Sequence, residues 1–155
     1  MTALHLAPAI RAGTVHAAAG ALRARGLRIS TARRLVLEAL YRADGPVAAE
    51  QIAGGPGGLP PADLASVYRN LEVLQRLGLV RHLHAGHGPA RFVLASDRRE
   101  YVLCEGCQRL EAVPSERLDP VRQAARQCVG HELSFTHFPL AGLCPACART
   151  PGAAA

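Results

Sequence analysis

The sequence predicts an α/β (α+β) fold in two domains, a helical N-terminal domain that ends in two strands and a smaller C-terminal α/β domain. Three observations support this prediction. Apolar residues recur at helical spacing through the N-terminal half, a Gly/Pro-rich turn separates two short strand-like runs after it, and two C-x-x-C pairs enclose most of the remainder. We expect domains at residues 1–95 and 96–149, with residues 1–14 flexible and residues 150–155 a disordered tail.

Four helices are predicted in the N-terminal domain, because capping residues bound the helical runs. Ser30 and Asp63 are candidate N-caps of the second and fourth runs, and Gly26 and Gly78 end the first and the fourth. A stretch rich in Gly and Pro separates the third run from the fourth. The predicted helices cover residues 15–25, 31–43, 48–53 and 64–77.

The fourth helix divides into an apolar stripe and a polar face. Its apolar residues recur three or four positions apart and are expected to face the core. Ser66, Tyr68, Arg69 and Asn70 are left to point outward near its N-terminal half, the position from which a recognition helix presents side chains to bases. The stripe consists of Leu64, Val67, Leu71, Leu74 and Leu77.

Two short strands are predicted after the fourth helix, over residues 79–83 and 91–95. Both runs are mostly apolar, and the Gly-His-Gly-Pro segment at residues 86–89 supplies a turn between them. Helices followed by a two-stranded hairpin make a winged helix-turn-helix. We therefore expect residues 1–95 to form a winged-helix DNA-binding domain.

Net positive charge is confined to the N-terminal part of the chain. Residues 1–95 contain 11 arginines and 5 acidic residues, residues 96–155 contain 7 of each, and the chain has no lysine. The net charge of +6 therefore belongs to the N-terminal domain. This asymmetry favours a phosphate backbone as the partner of that domain. The alternative is a solvated basic face without a partner.

Individual DNA contacts can be assigned on this interpretation. Arg69 can donate two parallel hydrogen bonds to guanine, and Tyr68 can place its ring against a thymine methyl group. Ser66 and Asn70 lie beside them on the same predicted face. The alternative is that these are ordinary surface residues. Phosphate contacts that set the register are assigned to Arg28, Arg33 and Arg34.

Four cysteines form two identical pairs, separated by 36 residues. Each C-x-x-C pair can hold one metal ion from a single turn, and two pairs complete the tetrahedral sulfur shell of a structural zinc site. The alternative is a thiol switch built from the same sulfurs. Cys128 has no such neighbour and is predicted to be a small buried hydrophobe in a helix over residues 121–129. The zinc ligands are Cys104, Cys107, Cys144 and Cys147.

Composition and spacing argue against two other classes of protein. No nucleophile, base and orienting acid occur at a recognisable spacing, and a four-sulfur zinc has no open position for water, so an enzyme is not predicted. No apolar run has the length of a membrane span. We expect a cytoplasmic protein, whose thiols stay reduced and available to metal.

Several ordered motifs resemble the ferric uptake regulator family of bacterial repressors. They lie at residues 26–34, 66–71, 78–80 and 142–147, and the resemblance covers about residues 20–149. It implies a homodimer in which the winged-helix domain binds an AT-rich palindromic operator and a C-terminal α/β dimerisation domain carries the four-cysteine zinc. Tyr68 and Arg69 fall on the family's base-contacting pair, and Ser66 replaces the usual threonine. A divalent metal, zinc foremost, is the expected effector.

One part of the family pattern is absent from this sequence. Metal-sensing members carry a histidine-rich run just before the first C-x-x-C pair, whereas residues 97–103 contain no histidine. Pro46 and Val93 stand where the family has two further ligands. Arginine, proline and valine cannot replace imidazoles around a divalent cation. The usual sensing site is therefore expected to be missing.

Three explanations remain open at the level of sequence. In the first, a second metal site built from other residues does the sensing. The protein can instead be a metal-independent or redox-responsive regulator, in which Arg98 and Arg99 pair with acids. It can also be a zinc-held thiol-switch or interaction module without an operator. The second-site candidates are His82, His84, His137, Glu100 and Asp119, with His87 and His131 as further histidines.

Overall fold

The computed structural model describes residues 9–149. The predicted tail at residues 150–155 and the first eight residues of the predicted flexible start lie outside this range. The chain divides into two compact units. The first runs to His82 and includes Arg91–Asp97, and the second consists of Leu83–Ala90 and the residues from Arg98 onward. Helices and strands occur in both units, which confirms the predicted α/β (α+β) class.

The first unit is a winged helix. Helix α4 packs against α2 and α3, and α1 packs against α2. A three-stranded sheet has the order β1-β3-β2, with Val47 of β1 opposite Phe92 of the antiparallel β3. A 3₁₀ turn, Pro56–Gly58, precedes α4. The elements are α1 (Val15–Ala24), α2 (Thr31–Arg42), β1 (Val47–Ala48), α3 (Ala49–Ala53), α4 (Leu64–Arg76), β2 (Val80–Leu83, its last residue in the second unit) and β3 (Arg91–Leu94).

Side-chain caps fix where the long helices begin. The Ser30 hydroxyl accepts a hydrogen bond from the Arg33 amide at 3.2 Å, and the Asp63 carboxylate accepts one from the Ser66 amide at 2.7 Å. Both predicted N-caps are confirmed. Gly78 ends α4 with φ +70°, where a Cβ atom would also lie 2.6 Å from the Cβ of Ala9. Only glycine satisfies both conditions.

The apolar stripe of α4 forms the centre of this unit. Val67, Leu71 and Leu74 are fully buried, as predicted. Leu64 differs from the prediction, since 39% of it is exposed, because it begins the helix at a point that the core does not reach. Each buried aliphatic side chain contributes about 2 kcal/mol through loss of apolar surface to water. Helices α1 and α2 add Leu22, Val36 and Leu37 to the fully buried set.

The second unit is a three-stranded sheet with one long helix. Strand β4 is central, antiparallel to β5 and parallel to β6. A small core contains Val113, Leu118 and Phe135. A 3₁₀ turn, Ser115–Leu118, leads into the helix. The elements are β4 (Glu100–Cys104), β5 (Leu110–Val113), α5 (Asp119–Val129), β6 (Leu140–Gly142) and α6 (Pro145–Ala148).

Helix α5 leaves all of its residues at least partly exposed. Cys128 is exposed, so the prediction of a buried cysteine is wrong. Val121, Ala124, Ala125 and Cys128 do recur at helical spacing, but nothing within residues 9–149 buries that face of the helix. No helix among residues 9–149 is long and apolar enough to cross a membrane.

Candidate functional site

The four paired cysteines converge at one end of the second sheet. Cys104 is the last residue of β4, and Cys107 follows it in the next turn. Strand β6 runs parallel to β4 with Gly142 beside Cys104, so the chain leaves both strands in the same direction. Cys144 and Cys147 come directly after β6. All four sulfur atoms lie within 4.8 Å of one another.

This arrangement fits a tetrahedral zinc ion. Sulfurs placed about 2.3 Å from zinc are roughly 3.8 Å apart, which agrees with the observed cluster. The Cys144 amide donates a hydrogen bond to the Cys104 sulfur at 3.2 Å, which is typical of a sulfur that carries negative charge. The four-cysteine group is therefore a candidate zinc site, formed by the four cysteines that the sequence singles out.

Hydrogen bonds within the four-cysteine group shift the pKa values of its thiols. Backbone hydrogen bonds from Cys107 and Cys144 lower the pKa of Cys104 from 9.0 to about 6. Hydrogen bonds with the sulfurs of Cys144 and Cys104 raise the pKa of Cys147 to about 12. These opposite shifts favour negative charge at Cys104 and a proton at Cys147. Zinc binding displaces the remaining thiol protons, because all of its ligands are thiolates.

Two histidines come together elsewhere in the second unit. The rings of His84 and His137 meet edge to face with centroids 5.1 Å apart, and the His84 amide donates to the His137 carbonyl at 2.9 Å. Phe138 stacks on His84 with a centroid distance of 5.8 Å. His131 is engaged separately, with its Nδ1 atom 2.7 Å from the Val129 carbonyl oxygen. His82 belongs to the first unit, where its ring lies 6.3 Å from that of Phe92.

The acids expected at a second metal site are paired with an arginine. Glu100 is 4% exposed, and both of its carboxylate oxygens accept hydrogen bonds from Arg122. Asp119 accepts another from the same guanidinium at 2.8 Å, and the Ser115 carbonyl accepts one at 3.1 Å. Within residues 9–149, neither acid joins a metal-ligating group of histidines or cysteines. Arg122, which the sequence did not single out, supplies the positive charge here.

Replacing Arg122 by alanine is expected to destabilise the second unit by about 3 kcal/mol, because the buried Glu100 carboxylate loses its counter-charge. Urea unfolding followed by circular dichroism measures this. Arg126→Ala is the matched control, since Arg126 pairs with Glu132 at 2.6 Å through side chains that are 59% and 70% exposed. That variant should unfold almost as the native protein does. Equal stability of the two variants would contradict the role assigned to Arg122.

The N-terminal half of α4 presents the predicted DNA-contacting residues. The Arg69 side chain is 70% exposed, Tyr68 is at the surface, and Ser66 is half-buried. The Tyr68 hydroxyl donates to Glu50 Oε1 at 2.9 Å, and this hydrogen bond raises the pKa of Tyr68. Arg69 Nη2 lies 3.8 Å from Asp63 Oδ2. Each of the two residues therefore has an acid beside it, a feature that the helical pattern does not reveal.

Asn70 does not point outward as predicted. Its side chain is buried, its Oδ1 accepts from Arg33 Nε at 3.0 Å, and its Nδ2 donates to the Ser66 carbonyl at 2.8 Å. Arg33 also donates to the Arg28 carbonyl. The helical spacing could have predicted this burial, because position 70 lies three residues after the buried Val67 and therefore on the same face of the helix. Asn70 and Arg33 thus fix α4 against the start of α2, while Arg28 and Arg34 remain exposed.

Comparisons with known proteins agree with this architecture. The model of the ferric uptake regulator family matches residues 24–138. The peroxide operon regulator of Bacillus subtilis (strain 168) is 30% identical over 129 residues, which cover 83% of this chain and 89% of that protein. The peroxide-responsive repressor PerR of Staphylococcus saprophyticus is 29% identical over 128 residues, or 81% and 86% of the two chains.

Solved structures show the same fold. The ferric uptake regulator of Helicobacter pylori superposes with a TM-score of 0.65 at 17% identity, over 89% of this chain and 93% of that one. The corresponding protein of Vibrio cholerae gives 0.63 at 22% identity, over 82% and 99%. The family match covers most of both units, from the last residue of α1 to the segment before β6. The chain is therefore a transcriptional regulator that belongs to the ferric uptake regulator family.

Proposed function

We propose that this protein is a homodimeric repressor that binds an AT-rich palindromic operator through α4 and carries a structural zinc in its four-cysteine group. The observation that carries the proposal is the exposed pair Tyr68 and Arg69 at the N-terminal half of α4. A guanidinium and a phenol in this position match the contacts that helix-turn-helix proteins make in the major groove. The family membership supports the same assignment.

The hydrogen bonds that join α4 to the start of α2 explain how contacts made by α4 can be specific for base sequence. Base recognition needs side chains held in a fixed register, and phosphate contacts provide it. Asn70 and Arg33 join α4 to the start of α2, and Arg28 and Arg34 are exposed beside that junction. We assign phosphate contacts to these two exposed arginines. Ser66 offers its hydroxyl on the same half of α4 as Arg69.

The small apolar core of the second unit supports a structural role for zinc. Its core contains Val113, Leu118 and Phe135 with three partly buried neighbours, and α5 has no buried residue. A closed four-sulfur site supplies folding free energy directly when zinc binds. We assign the four cysteines to this role, and dimerisation to the same unit on the strength of the family resemblance.

We assign metal sensing to His84 and His137. Imidazoles suit Zn²⁺, Ni²⁺ and Cu²⁺, and two that already touch need little rearrangement to share an ion. Glu100 and Asp119 are left out, because Arg122 already neutralises them.

Replacing His84 or His137 is expected to weaken or abolish the binding of one metal ion per chain. Protein loaded with zinc at the four-cysteine group is titrated with Zn²⁺, Ni²⁺ or Cu²⁺ in a calorimeter. His84→Ala and His137→Ala should each weaken the second binding event at least about tenfold or abolish it. His131→Ala is the control. An unchanged second event in both His84→Ala and His137→Ala would exclude the assignment.

A redox response is the second candidate function. Its specific support is the exposure of Cys107 within the four-cysteine group, since accessible thiolates react with peroxides. Both relatives described above are named for a peroxide response. Zinc release and loss of operator binding on addition of micromolar peroxide, without any effect of added metal, would favour this candidate over the histidine site.

A further inference from the structure

Two carboxylates stand beside the two residues to which we assign base contacts. Glu50, in α3, accepts a hydrogen bond from the Tyr68 hydroxyl at 2.9 Å. Asp63, the N-cap of α4, lies 3.8 Å from the Arg69 guanidinium. These two acids are among only five in residues 1–95, where arginine supplies the remaining charge. A surface that attracts phosphate thus has negative charge at the points where recognition is assigned.

The fold does not require these charges. The Asp63 and Arg69 side chains are each 70% exposed, and exposed ion pairs contribute little to stability. Asp63 does cap α4 through the Ser66 amide, but an uncharged serine caps a helix about as well. The partner of the Glu50 carboxylate is a surface hydroxyl.

We propose that Glu50 and Asp63 are specificity-determining residues that weaken binding to non-operator DNA more than binding to the operator. The inference rests on the proposed role of α4 in DNA binding. Each acid acts through its neighbour: it competes with phosphate groups for the hydroxyl of Tyr68 or the guanidinium of Arg69.

Operator and non-operator DNA differ in the groups that can replace a carboxylate as the partner of a recognition residue. A non-operator duplex presents phosphates, which meet repulsion from a carboxylate that lies well within the Debye length of about 10 Å. An operator presents guanine O6 and N7 together, and this bidentate contact replaces the single, exposed contact between Asp63 and Arg69. Unfavourable interactions with the wrong partner are a general route to specificity.

Two variants remove the charges and keep the local structure. Glu50→Gln retains an oxygen that accepts from Tyr68, and Asp63→Ser retains the cap on the Ser66 amide. Glu38→Gln is the control, with the same change in net charge on α2, where Glu38 lies 3.9 Å from Arg42. Fluorescence anisotropy measures binding of the full-length, zinc-loaded protein to an operator selected from random duplexes and to a scrambled duplex of equal length. Circular dichroism confirms that each variant is folded.

Removal of either acid should raise affinity for the scrambled duplex about threefold to tenfold and affinity for the operator less than about twofold. The ratio of operator to scrambled affinity therefore falls in Glu50→Gln and in Asp63→Ser, and falls furthest in the double variant. Glu38→Gln should change both affinities by the same factor. An unchanged ratio in the two variants, or an equal fall in Glu38→Gln, would overturn the inference.

Arg69→Ala, measured beside them, separates this inference from the proposed function. If native protein shows no operator preference, or if Arg69→Ala retains it, the recognition role of α4 fails and the inference fails with it. If Arg69→Ala loses the preference while Glu50→Gln and Asp63→Ser keep the native ratio, the proposed function stands and only the role of the acids is refuted.

Discussion

Cys104→Ser protein is expected to lose its zinc and the folded state of the second unit together. Serine stays protonated at neutral pH and does not replace a thiolate, so three sulfurs remain where a closed site needs four. Zinc binding at such sites is worth about 10–16 kcal/mol at neutral pH, which matches or exceeds the whole stability of a typical small domain. Elemental analysis gives the zinc content per chain, and thermal unfolding gives the stability.

The matched control for this experiment is Cys128→Ser. Cys128 is exposed on α5 and lies outside the four-cysteine group, so its variant should keep one zinc per chain and the native melting temperature. A Cys104→Ser protein that is metal-free yet fully folded and dimeric would refute the structural role of zinc.

Arg69→Ala protein is expected to fold normally and to lose its preference for the operator. A bidentate contact between arginine and guanine discriminates against other bases by about 1–3 kcal/mol, and a palindrome contains it twice. The ratio of operator to non-operator affinity should therefore fall at least about thirtyfold. Because the side chain is 70% exposed, its removal leaves the core of the first unit intact.

Arg76→Ala is the control for loss of one charge on the same helix. Arg76 is exposed in the last turn of α4, so its removal should weaken binding to every sequence by a similar factor and leave the ratio unchanged. Operator preference that survives in Arg69→Ala, or that disappears equally in Arg76→Ala, would exclude the assigned role of Arg69.

Local chemistry made part of this molecule predictable. Ser30 and Asp63 act on amides three residues away, so the helix starts follow from sequence alone. The four cysteines were equally recognisable, because C-x-x-C spacing fixes two ligands within one turn. The three strands of the second unit were not predicted, since the central β4 obtains its parallel partner β6 from a distant segment of the chain.

Residues whose role depends on a distant neighbour were missed or misplaced. Asn70 was expected outside, although its spacing from Val67 places it on the buried face; its hydrogen bonds with Arg33, 37 residues away, and with the Ser66 carbonyl show why a polar side chain is tolerated there. No sequence pattern singled out Arg122, because its role depends on the buried Glu100 on another element. Polar pairs of this kind leave no periodic pattern in a single sequence.

The parallel pairing of β4 with β6 has a consequence for the order in which the second unit folds. The two halves of the four-cysteine group become neighbours only when β6 has docked beside β4, across the segment that contains β5 and α5. Closing so large a loop is slow compared with forming a helix or a hairpin. Coordination of zinc by all four sulfurs is therefore coupled to the docking of β6: a chain that holds its metal in this way has completed the topology of this unit.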